Sequence, residues 1–127
     1  MAINNIQTAL RDTLCNAFVD AIDGGAGDGL LTLHTAAFAL LLATLTFAGP
    51  AFGASASGTA TAGTIIGDAS ADLSGTAVVF RIATSLPTTL FEGTVGAGSG
   101  DIDFNTNVFT AGDSVDVTAM TITMPAS

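Results

Sequence analysis

The chain has no lysine, and Arg11 and Arg81 are its only arginines. Against eleven Asp and Glu residues they leave a formal net charge of −9. A surface of that sign repels phosphate, so neither nucleic acid nor an anionic membrane is an expected partner. Charged residues of either sign make up only 10% of the 127 positions, well short of the usual quarter. Ordinary soluble monomers carry more. So sparse a charge, on a chain rich in Gly, Ala, Ser and Thr, implies that other protein covers much of the surface. Assembly is therefore expected.

Cysteine is nearly absent as well. Cys15 stands alone, so no internal disulfide forms and no redox compartment follows. It falls in an apolar helical stripe and reads as a small buried hydrophobe. His34 is the single histidine. No second His or Cys lies at ligand spacing, which argues against zinc. Without lysine the glycines of GGAGDG (24–29) and GAGSG (96–100) cannot complete a phosphate-binding loop. No GxSxG marks a nucleophile, and no carboxylate pair sits in an apolar setting suited to acid–base work. The chain is expected not to be an enzyme and to carry no cofactor or metal.

What is present is apolar material: 49% of residues are hydrophobic, enough for a single core at this length. Residues 4–23 are predicted to be a helix. Ile3, Ile6, Leu10, Leu14, Phe18 and Ile22 recur at spacings of three and four, which places them on one face. Asn4 or Asn5 is the expected cap. Gly24 and Gly25 are expected to end the helix in a left-handed conformation, and Asp12 and Asp20 fall on the wet side. With no basic leader and no unbroken apolar stretch, this segment does not read as a signal peptide.

From Gly29 the period changes to two. Strands are predicted at 30–35 and 41–47, weakly at 59–66, and at 76–84, 89–95, 101–109 (one strand or two) and 114–124. In the second of these, Leu41, Ala43, Leu45 and Phe47 alternate with Leu42, Thr44 and Thr46. The clearest hairpin joins TAVVFRIAT (76–84) to TLFEGTV (89–95) through SLPT. If Thr84 opposes Thr89, Ile82 faces Phe91 and Arg81 faces Glu92 as a cross-strand ion pair. The last strand shifts parity near Ala119–Met120, as a bulge would. These elements predict one domain over 1–127, mainly β. Its form is a single antiparallel β-sandwich, Ig-like or jelly-roll-like, over 29–124, with an N-terminal α-helix.

The stretch from His34 to Gly53 holds no charge, and its apolar part, Ala36 to Phe52, barely reaches the length of a membrane span. It contains Gly49–Pro50 and has no basic flank, so it reads as a buried strand preceded by an apolar connection. Exposed apolar connections mark contacts with another chain. Ala36, Ala37, Phe38 and Leu40 are therefore candidate interface residues, together with Ile3, Ile6, Leu10 and Leu14. Asp101, Asp103 and Asn105 share the opening spacing of an EF-hand loop. The sixth position is Thr106 and the twelfth Gly112, which leaves the ligand set incomplete. A solvated strand face is the simpler account.

Blocks of the chain resemble a family of small tailed-bacteriophage virion proteins. They are NAFVDAIDGGAGDGLLTLHT (16–35), LLATLTFAGPAFG (41–53), GTATAGTI (58–65), DASADLSGTAVVFRI (68–82), FEGTVG (91–96) and TAGDSVDVTAMTITMPA (110–126). The resemblance implies a non-catalytic structural component of the virion. The expectation is a decoration or cement protein on the outer surface of the capsid, made in the host cytoplasm. Its partners would be the major capsid protein, itself as a dimer or trimer, or both. A tail, collar or fibre component is the alternative.

Overall fold

A computed structural model describes residues 5–126. The first regular element is helix α1, Thr8–Asp20, which tightens into a 3-10 turn over Ala21–Asp23. Of the predicted caps, Asn5 does not cap the helix. Asn4 and Ile3 lie outside the described residues, and the helix begins only after Gln7, an extended residue with no side-chain cap. The delay has a tertiary cause: the Ile6 amide donates to the Ala126 carbonyl at 2.7 Å, which pins the entering chain along the C-terminal segment. The helix does stop at the glycines, but Gly24 is right-handed (φ −72). Glycine is needed just beyond for room instead, since a Cβ on Gly25 would collide with the Ser85 side chain.

Among the described residues ten strands follow: β1 Leu30–His34, β2 Leu41–Phe47, β3 Thr59–Thr61, β4 Ile65–Ile66, β5 Gly75–Thr76, β6 Val79–Ala83, β7 Thr89–Gly96, β8 Ile102–Asp103, β9 Val108–Phe109 and β10 Thr121–Thr123. Six form one sheet in the order β4-β2-β1-β6-β7-β8, while β10–β3 and β5–β9 are two-stranded ribbons. All pairings are antiparallel except β7 with β8. The fold is mainly β with an N-terminal helix, as the alternating pattern predicts. No helix among the described residues is long and apolar enough to cross a membrane.

Alternation explains the sheet's two faces. Leu31, Leu33, Leu45, Phe47 and Ile82 point inward and are fully buried. They meet Cys15, Val19 and Ile22 from the helix side, and Ala60, Phe109, Val115 and Val117 from the ribbons and the segments beside them, in one cluster. Leu30, Thr32, Thr44 and Thr46 fall on the other face and are half-buried. Thr and β-branched residues suit such a surface.

Two bulges adjust the predicted strands. In β2 the register slips between Leu33 and His34, so Leu42 is the extra residue and is buried beside Ala43. In the β6–β7 hairpin Ile82 faces Phe91 and Arg81 faces Glu92 as predicted, but Ala83, not Thr84, opposes Thr89. Leu90 is the extra residue there. Thr84 serves the turn instead: its amide donates to the Thr88 carbonyl (3.0 Å), and its hydroxyl accepts from the Thr88 amide (3.1 Å).

The predicted last strand, 114–124, is not continuous. Val115 bridges Asp68, and only Thr121–Thr123 forms a strand, against β3. The parity shift therefore reflects a change of partner across an irregular stretch. Residues 101–109 resolve into two short strands, β8 and β9.

The helix docks on the β3–β10 ribbon through polar groups. Ser57 and Gly58 form a two-residue turn with φ of 53 and 79, closed by reciprocal Ala56–Thr59 hydrogen bonds. Positive φ at both central positions is the hairpin geometry that matches strand twist. Asp12 accepts from the Ser55 hydroxyl and the Gly58 amide, both at 2.7 Å. Arg11 donates to the carbonyls of Ser57 and Met124. Asp12 is thus a structural anchor and not, as its helical position predicts, a merely solvated residue. These anchors turn Cys15, Val19 and Ile22 to the core.

Candidate functional site

The helix orientation leaves Leu10, Leu14 and Phe18 outside, at 52%, 43% and 38% exposure. They are spaced by four residues, so they form a ridge along α1. Leu10 and Leu14 thus occupy surface positions, as an interface requires. Ile6 is half-buried beside the C-terminal segment. Phe18 extends the ridge onto the sheet, its ring 4.8 Å from that of Phe91.

A second apolar surface is the strap between β1 and β2. Its ends are closed on Thr35: the Thr35 amide donates to the Leu40 carbonyl (3.1 Å), and the Leu40 amide donates to the Thr35 hydroxyl (3.0 Å). Ala36, Ala37 and Leu40 are exposed, and Leu41 continues the patch at 38%. Phe38 behaves differently. It folds back over the sheet and is half-buried. The Arg81 guanidinium carbon lies 3.9 Å from its ring centre, and the His34 ring meets it edge-on at 5.2 Å.

Turning the chain back this way requires left-handed backbone at two adjacent non-glycine residues, Ala37 (φ 56) and Phe38 (φ 57). For L-residues that conformation costs roughly 1–2 kcal/mol each. The cation–π contact offsets part of it, at about 0.5–2 kcal/mol depending on desolvation. Arg81 is itself held by Glu92, with Nε to Oε2 at 2.6 Å. The predicted ion pair therefore forms, and it acts as the post to which the strap is tied.

His34 sits beneath this arrangement at 9% exposure, its Nε2 2.8 Å from the Thr32 hydroxyl. Burial lowers its pKa below the usual value, and the positive charge of Arg81 lowers it further, while Glu92 opposes the shift. The ring is accordingly neutral at neutral pH. Next to it, Leu30, Thr32, Leu41, Arg81 and Pro87 line a shallow cleft of about 360 Å³ on the outer face of the sheet.

The residues screened for chemistry are occupied otherwise. Cys15 is fully buried, its thiol 3.5 Å from the Ile122 carbonyl. Asp101 accepts from both the amide and the hydroxyl of Thr94 (3.0 and 3.1 Å), and Asp103 accepts from the Gly100 amide (2.7 Å). Their role is to close the β7–β8 loop. Among the described residues no group of three or more His, Cys, Asp or Glu is placed to hold a metal ion.

Other carboxylates work the same way, which the sequence reading missed. Asp23 accepts from the Ala51 amide, and Asp68 accepts from the Thr44 and Ser70 amides. Hydrogen bonds lower the pKa of Asp12, first from the Gly58 amide and then from the Ser55 hydroxyl. The only sequence signal is the preference of Asp for loops, where it caps neighbouring amides. No protein-family model, curated protein or solved structure gives a match to this chain.

Proposed function

We propose that the chain is a non-enzymatic structural component of a bacteriophage virion, a decoration or cement protein on the outer capsid surface. One observation carries the interaction part of this reading. A chain of net charge −9 keeps two surfaces free of charged residues and apolar: the strap at Ala36, Ala37, Leu40 and Leu41, and the helix ridge at Leu10, Leu14 and Phe18. Exposed apolar patches of this kind mark protein contacts. The virion assignment rests on the sequence resemblance described above.

In this reading the strap meets the major capsid protein. The Phe38–Arg81–Glu92 connection holds it in one conformation, which reduces the ordering entropy lost on binding. Each contact is small, and repetition over a shell gives avidity.

The test is to locate the labelled chain on purified virions by electron microscopy and to count its copies. A uniform lattice over the shell, lost with Leu40→Asp, is the expected result. A few copies confined to the tail would replace this reading with that of a tail, collar or fibre component.

A further inference from the structure

The strap between β1 and β2 is fastened to the sheet by one side chain. Ala36, Ala37 and Ala39 are exposed, while Phe38 reaches back and is half-buried. Two groups grip its ring: the Arg81 guanidinium, 3.9 Å from the ring centre, and the His34 ring, edge-on at 5.2 Å. The backbone works against that grip, because Ala37 and Phe38 are both left-handed. The ends of the strap are pinned separately, by the hydrogen bonds between Thr35 and Leu40. A strained loop with fixed ends and one internal fastening has two arrangements: closed with Phe38 docked, and open with Phe38 released and the backbone relaxed.

His34 is the member of this grip whose charge changes near neutral pH. The strand register sets what surrounds it. Thr32 faces Arg81 across β1 and β6, and Arg81 faces Glu92 across β6 and β7. Arg81 and Glu92 are the charged groups that act on the ring. β1, β2 and the strap bring no other titratable side chain. Glu92 is already engaged by Arg81, and Nε2 of the ring by the Thr32 hydroxyl. A proton added to His34 therefore puts a second cation beside Arg81, in a site only 9% exposed. Burial opposes that proton most, and the Arg81 charge opposes it further. Lifting Phe38 lets water reach the ring and removes the larger penalty. The open form thus binds the proton more tightly, and by reciprocity the proton favours the open form by the same factor.

We propose that the strap is a pH-operated cover: protonation of His34 releases Phe38 from Arg81 and lets the chain at Ala37 and Phe38 relax out of its left-handed turn. Near neutral pH the apolar surface at Ala36, Ala37 and Leu40 keeps one fixed shape. In mild acid it loses that shape and gains an exposed phenyl ring. The proposal deepens the proposed function by making the strap's contact with a partner depend on pH, and it rests on that reading only for who the partner is. The opening itself belongs to the free chain.

The experiment is an NMR titration of the isotope-labelled free protein from about pH 7.5 to about pH 5. The His34 ring resonances follow its protonation. Nuclear Overhauser contacts between the Phe38 ring and the Arg81 side chain follow closure, and the amide–Hα coupling and carbon shifts of Ala37 follow the sign of φ. The expected result is loss of the Phe38–Arg81 contacts and of the left-handed signature at Ala37, with the same midpoint as His34, while the β6–β7 cross-strand contacts persist. His34→Gln, neutral at every pH, keeps the strap closed throughout. Phe38→Ala removes the cover, so His34 titrates at a higher pH than in the wild type; this readout does not depend on how His34→Gln folds. Phe38–Arg81 contacts that survive the full His34 titration overturn the proposal. So does the same loss in His34→Gln, which would trace the opening to carboxylates, or a His34 midpoint unmoved by Phe38→Ala. The titration is read without virions, so it fails separately from shell attachment, which is read from Leu40→Asp.

Discussion

The strap makes an unusual prediction about glycine. Ala36 and Ala37 are adjacent, both exposed, and touch little. Only Ala37 is left-handed, at φ 56 and ψ 27. Replacing Ala37 by glycine removes a backbone burden of roughly 1–2 kcal/mol. It also gives the unfolded chain freedom that costs roughly 0.5–1 kcal/mol. The net change is a stabilisation of roughly 0–1.5 kcal/mol. At Ala36 nothing is relieved, and the same substitution destabilises by roughly 0.5–1 kcal/mol. The two variants thus differ by roughly 1–2 kcal/mol, or about 3–10 °C in Tm for a domain of this size. Paired urea and thermal unfolding curves measure that difference directly. Equal destabilisation by both glycines would refute the left-handed strap and with it the argument that Phe38 is tied back to Arg81.

Three further outcomes follow from neighbouring features. In an alanine double-mutant cycle, Arg81→Ala costs more than Glu92→Ala because it also strips the cation from Phe38. The coupling is about 0.2–1 kcal/mol, as befits a pair this exposed, and equal single effects would count against the cation–π contact. His34 is held neutral, so its unfolded form binds more protons below about pH 6.5. Its stability contribution is complete above that pH and is lost as pH falls through the lower folded-state pKa. His34→Gln should flatten the stability–pH curve in that window. The loss due to Asp12 begins only as pH falls through the ordinary carboxylate range, below this window, and a curve unchanged by His34→Gln would be the contrary result. Finally, Gly58→Ala places a side chain at φ 79 against the Arg11 guanidinium. It should destabilise by about 1–2 kcal/mol or more, and an unchanged Tm would refute the packing of α1 on that turn.

The legible parts of this fold are those where a local pattern and its tertiary outcome agree. β1, β2, β6 and β7 alternate in sequence and in burial, and the Arg81–Glu92 pairing follows because opposite charges face each other in one register. The bulges were hidden because Leu42 and Leu90 are apolar and suit either face. The helix rotation was hidden for a different reason. Asp12 reads as solvent-facing, yet a turn more than forty residues away supplies the partners that draw it in. Of the candidate interface, Leu10, Leu14, Ala36, Ala37 and Leu40 were legible as apolar residues without a core position. Phe38 was not, because nothing in Ala-Ala-Phe announces two left-handed residues.

The sheet ends at both sides in strands of two residues, Ile65–Ile66 and Ile102–Asp103. So short an edge offers almost no template for another chain to zip onto, and Asp103 adds a charge to one of them. In the proposed assembly, contact would run through side-chain surfaces, and the short terminal strands limit the fibre growth to which a longer open edge would expose a β-rich chain with so little charge.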